Sequence, residues 1–466
     1  MRRKNFLEGF GEFWKEYRKV GSGILGLGIL LGFLLLALLG PALVPFPGAT
    51  ERWQDIAYWQ DNPRAAPPLW TNWFSAEKGA VSRRLLPEAG PADGSAGGAT
   101  RAEYSFAYDY RADRPPRDLV FRFKGSGKVG LSLEVARPDG SSAELYRAQT
   151  ELGAGISRVS IEHDARSGVF ELVSSVNEFI GMSLDPDGAS AASLLFSKVE
   201  EDMQDSPRAL KGVYRFELKA EFLSPEARIE APELLVSGEV SGIMGTDASK
   251  RDLFTGVVVG IKWALVIGFL TSLVTVVVGV LLGVIAAYFG GAVDWLLTRL
   301  YEYVYLLPVL PFLIVVSAIY KPSIYTLIVI ICLLFWTGPY KPVYSMALQI
   351  KEETYVEAAR ALGSGRLRII LRHVVPVLLP YSFAVMALSI PGVIVYEASV
   401  SLLGLGDSSI VTWGQILQTA LSQGAVINKL WWWVVPPGLM IALMGMAFAF
   451  IGSALDKILH PKLKTR

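Results

Sequence analysis

The chain has 466 residues, a formal net charge of +1, 52% hydrophobic residues and a mean hydropathy of +0.39. That composition is too apolar for a wholly soluble protein, the length allows more than one domain, and the near-neutral charge gives no reason to expect nucleic acid as a partner. One cysteine, Cys332, excludes an intrachain disulfide, and His163, His373 and His460 are too dispersed to pair as ligands of a zinc hydrolase.

In chain order, residues 1–46 read as an amphipathic leader followed by a first span. Phe6, Phe10, Phe13, Trp14 and Tyr17 recur at helical spacing opposite lysines and arginines, the pattern of an interfacial helix or of a plain positively charged leader. The apolar run Gly23–Phe46 is span-length, lacks a small-x-small cleavage site and ends among prolines, so it reads as a retained anchor. Five further apolar runs follow at Gly256–Tyr288, Trp295–Tyr320, Ser323–Leu348, Val377–Tyr396 and Leu430–Ile451. Each has the ~20 residues a bilayer core requires, which predicts a mainly α membrane protein of six transmembrane helices, with boundaries softened by Pro308, Pro311 and Pro322. Basic residues before the first span and in the tail 462–466 place both termini in the cytoplasm. Trp431, Trp432 and Trp433 predict an aromatic belt at the outer start of the last span.

Residues 47–244 lie outside the membrane in this topology and are too many for a loop. The stretch from Phe46 to Asp252 holds 32 acidic against 24 basic side chains, leaving 11 and 20 elsewhere. Residues 87–100, PEAGPADGSAGGAT, form a low-complexity linker. EYSFAYDY, DLVFRFKG, KVGLSLEVAR, ISRVSIEH, GVFELVSS and VYRFELKAEF alternate apolar and polar residues between turn signals, predicting a large extracytoplasmic antiparallel β-sandwich. Gly125–Gly130, GSGKVG, matches a nucleotide loop only formally. A strand pattern follows it, and Val129 stands where a P-loop needs Ser or Thr, so a hairpin turn is expected. Glu200, Glu201 and Asp202 read as a solvated face, and the chain is expected to hold no cofactor and to have no catalytic residue of its own.

Residues 245–461 carry three denser patterns. Gly245-Thr246-Asp247 and Lys250-Arg251-Asp252 precede GVVVGIKWAL. The loop 351–376 holds EAARALG, where Glu357, Ala358, Ala359 and Gly363 put small residues on one helix face, then Arg366 and, after a basic run, Pro376. Such a face lets another backbone approach closely, and its charged flanks suit a soluble partner; the plainer reading is a charged connecting helix. Finally, EASVSLLGLGDSSIVTWGQIL contains Glu397, Gly404, Gly406 and Trp413 near the outer face. Glu397 is either a functional carboxyl at a span end or a helix-capping group beside Ser399 and Ser401, so these four residues read as a gate or a structural element.

Together the three stretches resemble the dipeptide/oligopeptide branch of ABC-importer permeases, in wording most like its C-type inner-membrane subunit. The resemblance covers most of 245–461. Departures are Lys262 where Arg is usual and the long insert, which members usually lack; His373 departs from the general loop pattern, which has an aliphatic residue there, but the peptide branch commonly shows His. The resemblance implies a five-helix permease core after the insert and an EAA loop whose Glu357, Ala358, Ala359, Gly363, Arg366 and Pro376 couple to an ATPase. It further implies a heterodimer with a second permease subunit, two ATP-binding subunits that hold ATP and Mg, an extracytoplasmic substrate-binding protein, membrane lipid around the helices and peptide cargo. An oligosaccharide importer fits the same motifs, and a membrane-anchored extracellular binding or hydrolytic module is the reading that makes the insert the working part.

Overall fold

The protein is described by a computed structural model covering residues 11–459 except 12, 47, 89–93, 97–98, 154, 178–189, 201–207 and 321–322. Phe6, Phe10, Pro322, Glu201, Asp202, His460, the tail 462–466 and half of the low-complexity linker lie outside the described residues. The chain divides into two compact units, Met1–Gln54 with Thr255–Arg466, and Asp55–Phe254.

The first unit is helical: α1 (Gly21–Leu43), α2 (Leu253–Phe289), α3 (Gly291–Tyr305), α4 (Val309–Ile319), α5 (Ile324–Phe335), α6 (Thr337–Lys351), α7 (Thr354–Ala361), α8 (Arg366–Leu402), α9 (Trp413–Ser422) and α10 (Trp431–Leu459). Among the described residues five helical runs are long and apolar enough to cross a membrane: α1, α2, α5 continued by α6, α8 and α10. The expected span Trp295–Tyr320 is instead the pair α3 and α4, bent by 82° and a sixth crossing only if counted as one. Pro308 explains the break, because it disfavours the helical conformation of the residue before it and cannot donate to the helical ladder. Gly23 and Gly26 set α1 closely against Ala454 and Ala447 of α10, the small-residue contact usual between membrane helices. The expected tryptophan belt is reduced to Trp431, which is 42% exposed, while Trp432 and Trp433 are buried. Consecutive helical residues point about 100° apart, so three in a row cannot share one lipid-facing stripe.

The second unit is built on an antiparallel sheet of β1 (Arg83–Leu85), β2 (Gly94–Ala96), β3 (Ala99–Tyr110), β4 (Asp118–Ala136), β5 (Ser142–Leu152), β6 (Ile156–Ser160), β7 (Gly212–Phe222) and β8 (Arg228–Ser237), ordered β1-β8-β4-β7-β3-β2 with β5 and β6 also paired to β4. The first half of β4 pairs with β6 and β8, its second half with β5 and β7. Strands therefore break on both flanks at one level while β4 runs through. The halves pack inner face to inner face, with Phe121 of the first half against Phe106 and Phe216 of the second at ring separations of 5.7 and 5.8 Å. Where the sequence predicts a sandwich, the strands form one connected sheet folded at β4. The hairpin expected at Gly125–Gly130 is that fold: two strand patterns join through Gly127 at φ +79, a conformation open to glycine. GVFELVSS, read as a strand, lies within the helix Arg166–Asn177, which buries Val169, Leu172 and Val173 at helical spacing.

Candidate functional site

The loop between α6 and α8 centres on α7, TYVEAARA, with Glu357 in its first turn and Arg360 in its last, both signs complementing the helix dipole. Val356 and Ala359 are buried in a core shared with Val280 and Val284 of α2, Val343 and Ala347 of α6, and Ile369, Ile370 and Val374 of α8. Ala359 thus seats α7 on the helical unit, whereas Glu357, Ala358 and Gly363 are exposed. Gly363 ends the helix in a Schellman turn: its N–H donates to Arg360 O at 3.0 Å, that of Ser364 to Ala359 O at 3.1 Å, and its φ is +80. The turn thrusts Leu362 outward, 86% exposed.

Arg366, exposed at the head of α8, carries its guanidinium over the Phe289 ring at 5.8 Å. Lys351 Nζ donates to Ala287 O at 3.4 Å, so two cations meet the last turn of α2, where carbonyls lack helical partners. Beyond Arg366, residues Ile370–Val374 form a π-turn in which Val375 N–H reaches back to Ile370 O. Pro376, exposed, follows at once; it lacks an N–H and its ring crowds the carbonyl four residues back, which accounts for the widened turn.

The far end of α8, ~55 Å of helix away over its 37 residues, is a tight joint. Glu397 is 6% exposed and accepts from Ser401 Oγ at 2.8 Å and from the Thr412 hydroxyl. Thr412 also caps α9 by accepting from Gln415 N–H at 3.2 Å. Gly404 closes α8 with the same Schellman turn as Gly363, Leu405 N–H donating to Val400 O at 3.1 Å and Gly404 N–H to Ser401 O at 2.9 Å. Gly406 is buried so closely that a Cβ there would stand 2.2 Å from Ser401 Oγ. Trp413 is 2% exposed; its indole N–H donates to Val257 O of α2 at 2.9 Å and its ring meets Phe33 of α1 at 6.0 Å. Of the two roles open to Glu397 in the sequence, the surroundings supply partners for the structural one.

The third pattern belongs to the β-rich unit. Asp247 and Arg251, both buried, pair at 2.5 Å, and Asp247 also accepts the N–H groups of Ser249 and Arg251 at 2.8 Å. Burial pushes the Asp247 carboxyl above its usual range, opposed by the Arg251 guanidinium. Thr246 Oγ1 donates to Pro63 O at 2.7 Å and accepts from Ala66 N–H at 2.9 Å, zipping the outgoing and returning limbs of the insert.

Residues 279–465 match the family described as binding-protein-dependent transport system inner membrane component. The chain is 32% identical to the oligopeptide transport system permease protein OppC of Haemophilus influenzae over 219 residues, 47% of this chain and 70% of that protein. It is 31% identical to the dipeptide transport system permease protein DppC of Bacillus subtilis over 246 residues, 52% of this chain and 76% of that protein. The chain belongs to the dipeptide/oligopeptide family of ABC-transporter permeases. A structure of the MetNI methionine ABC transporter shares 17% identity with a TM-score of 0.32, covering 43% of this chain and 96% of that one, a likeness too slight to bear on the site.

Within this permease several working contacts escape a reading of motifs. Leu362 carries no motif of its own, and in the sequence only the glycine after it signals that the chain turns there. Asp407 accepts from Ile324 N–H at 3.1 Å and so caps α5 across 83 residues of sequence; its Asp-Ser-Ser context announces a turn, with Ser409 N–H donating to it at 2.9 Å, but not that partner. Among the described residues no group of three or more His, Cys, Asp or Glu side chains is placed to hold a metal ion.

Proposed function

We propose that this permease carries peptides inward as one of two non-identical membrane subunits, with α7 in the cytoplasm against one of two ATP-binding subunits that hold ATP and Mg. The insert then faces the outside, where a substrate-binding protein delivers cargo. The relatives' names support peptides as the cargo. The charge bias supports the sidedness: Arg360, Arg366, Arg368 and Arg372 cluster in the loop around α7, while the insert is acidic.

The observation that carries the coupling role is the division of α7 into two faces. One face, Val356 and Ala359, is fixed in a core shared with α2, α6 and α8; the other, with Glu357, Ala358 and Leu362, is free. Displacement of α7 by an ATPase that closes on ATP is thereby passed to three long helices at once, as coupling between separate sites through rigid elements requires. The π-turn before Pro376 is the natural place for α8 to yield.

Leu362→Asp tests this in the assembled transporter reconstituted in liposomes. Nothing inside the chain depends on a side chain this exposed, so stability should change by no more than ~0.5 kcal/mol, while peptide uptake and substrate-stimulated ATP hydrolysis are lost. Uptake at the unaltered rate, with normal assembly, would refute the docking role.

A further inference from the structure

The insert bears an exposed apolar patch close to where the chain re-enters its helices. Trp73 and Phe74 are each 81% exposed, and Leu69, Trp70 and Ile243 are 38%, 36% and 57% exposed. They form one surface: Leu69 N–H donates to Gly242 O at 3.0 Å, the Trp70 indole N–H to Ile243 O at 2.9 Å, and the Trp70 ring meets Phe74 edge-on at 6.4 Å. Residues 65–76 and 241–246, which carry it, contain no charged side chain, in a segment otherwise dense with them. Exposed aromatic surface of this kind marks a contact.

Chain continuity identifies the contact. Gly245 O accepts at 3.1 Å from the N–H of Leu253, the first residue of α2. Ile243 is therefore two residues, at most ~7 Å of chain, from a group bonded to the head of a membrane helix. Five residues into α2, a rise of ~8 Å, Val258 packs on Gly40 near the end of α1. At 23 residues α1 is little longer than the ~20 needed for the hydrocarbon core, so its end marks the edge of that layer. The headgroup zone, which adds ~5–8 Å to each side of the core, is thus within chain reach of the patch. Trp and other rings with one wet edge are favoured there; Thr71, Asn72 and Ser75 supply uncharged polar neighbours.

We propose that Leu69, Trp70, Trp73, Phe74 and Ile243 are a lipid anchor that beds the insert into the interfacial layer of the adjoining leaflet. The anchor depends on α1 and α2 crossing the bilayer, not on which side the insert faces or what is transported.

The test uses the full chain in liposomes with Cys332→Ser as background and one new cysteine, Phe74→Cys, carrying an environment-sensitive fluorophore. The expected result is a blue-shifted emission that loses intensity with lipids spin-labelled near the headgroup and loses less with lipids labelled deep in the chain. A label at Leu223→Cys, also on the insert where Leu223 is 46% exposed, should stay water-like and unquenched, which confirms that the insert remains folded and off the bilayer there. Trp73→Cys should repeat the Phe74→Cys result, guarding against local damage at one position. Emission at both patch positions like that at Leu223→Cys overturns the anchor. So does a blue-shifted label that no lipid probe quenches, since that reports burial against protein.

Discussion

The two ends of α8 are built on opposite plans. At one end, α7 offers Leu362, Glu357 and Ala358 to solvent and keeps only Val356 and Ala359 for its own attachment. At the other, Glu397, Gly406, Thr412 and Trp413 are all buried: Glu397 accepts from Ser401 and Thr412, Gly406 packs on Ser401, and Trp413 bonds to α2. Both stretches stood out in the sequence as dense motifs, yet one is a surface and the other a joint. Motif density therefore reports constraint without saying whether the constraint comes from the chain's own packing or from a partner. The Asp247–Arg251 node in the insert falls with the joint.

The contrast breaks most visibly if the joint is removed. Trp413→Ala deletes a ring held by α1 and α2 together with its indole bond to Val257 O, and should cost about 3–5 kcal/mol, seen as a lowered unfolding temperature of the purified permease in detergent. Asp247→Ala should cost a comparable ~3–5 kcal/mol by breaking the buried ion pair with Arg251; because Asp247 belongs to the insert, proteolysis there should accelerate while the helical unit resists. Gly406→Ala forces Ser401 and Gln415 to give way around a new methyl and should cost ~1–3 kcal/mol by the same melting assay. A Trp413→Ala variant that melts normally would mean the joint is not one.

Much of this division was hidden in the sequence for physical reasons. The six apolar runs located every long helix because span length is set by the bilayer, but the 82° break at Pro308 depends on packing that composition does not encode. Ala359 is the telling residue of the α7 surface. An alanine serves equally to let a partner come close or to let its own helix settle, and the pattern EAA is identical in both cases; only the buried neighbours Val284 and Ile369 decide. In the insert, Gly127 joins two alternating runs, and a glycine between strands looks the same whether it makes a hairpin or folds one long strand. GVFELVSS satisfied both a period of two and a period near 3.6 over its short length, and the helix won through burial of Val169, Leu172 and Val173.

The smallest expected effects give the sharpest comparison, because the two regions share one device. Gly363 and Gly404 end their helices in the same Schellman turn, each at φ +80. An alanine in that left-handed conformation costs about 1–2 kcal/mol, and no heavy atom lies within 3.4 Å of the added methyl at either place, so Gly363→Ala and Gly404→Ala should lower stability alike. Their functional consequences should differ. The turn at Gly363 aims Leu362 and fixes the exposed face of α7, so its distortion should reduce ATP hydrolysis stimulated by substrate. The turn at Gly404 returns the chain to Gly406 and Thr412 in the buried joint, so Gly404→Ala should leave that stimulation intact once melting is matched. Equal loss of stimulation in both variants would mean that the far joint moves with the transport cycle.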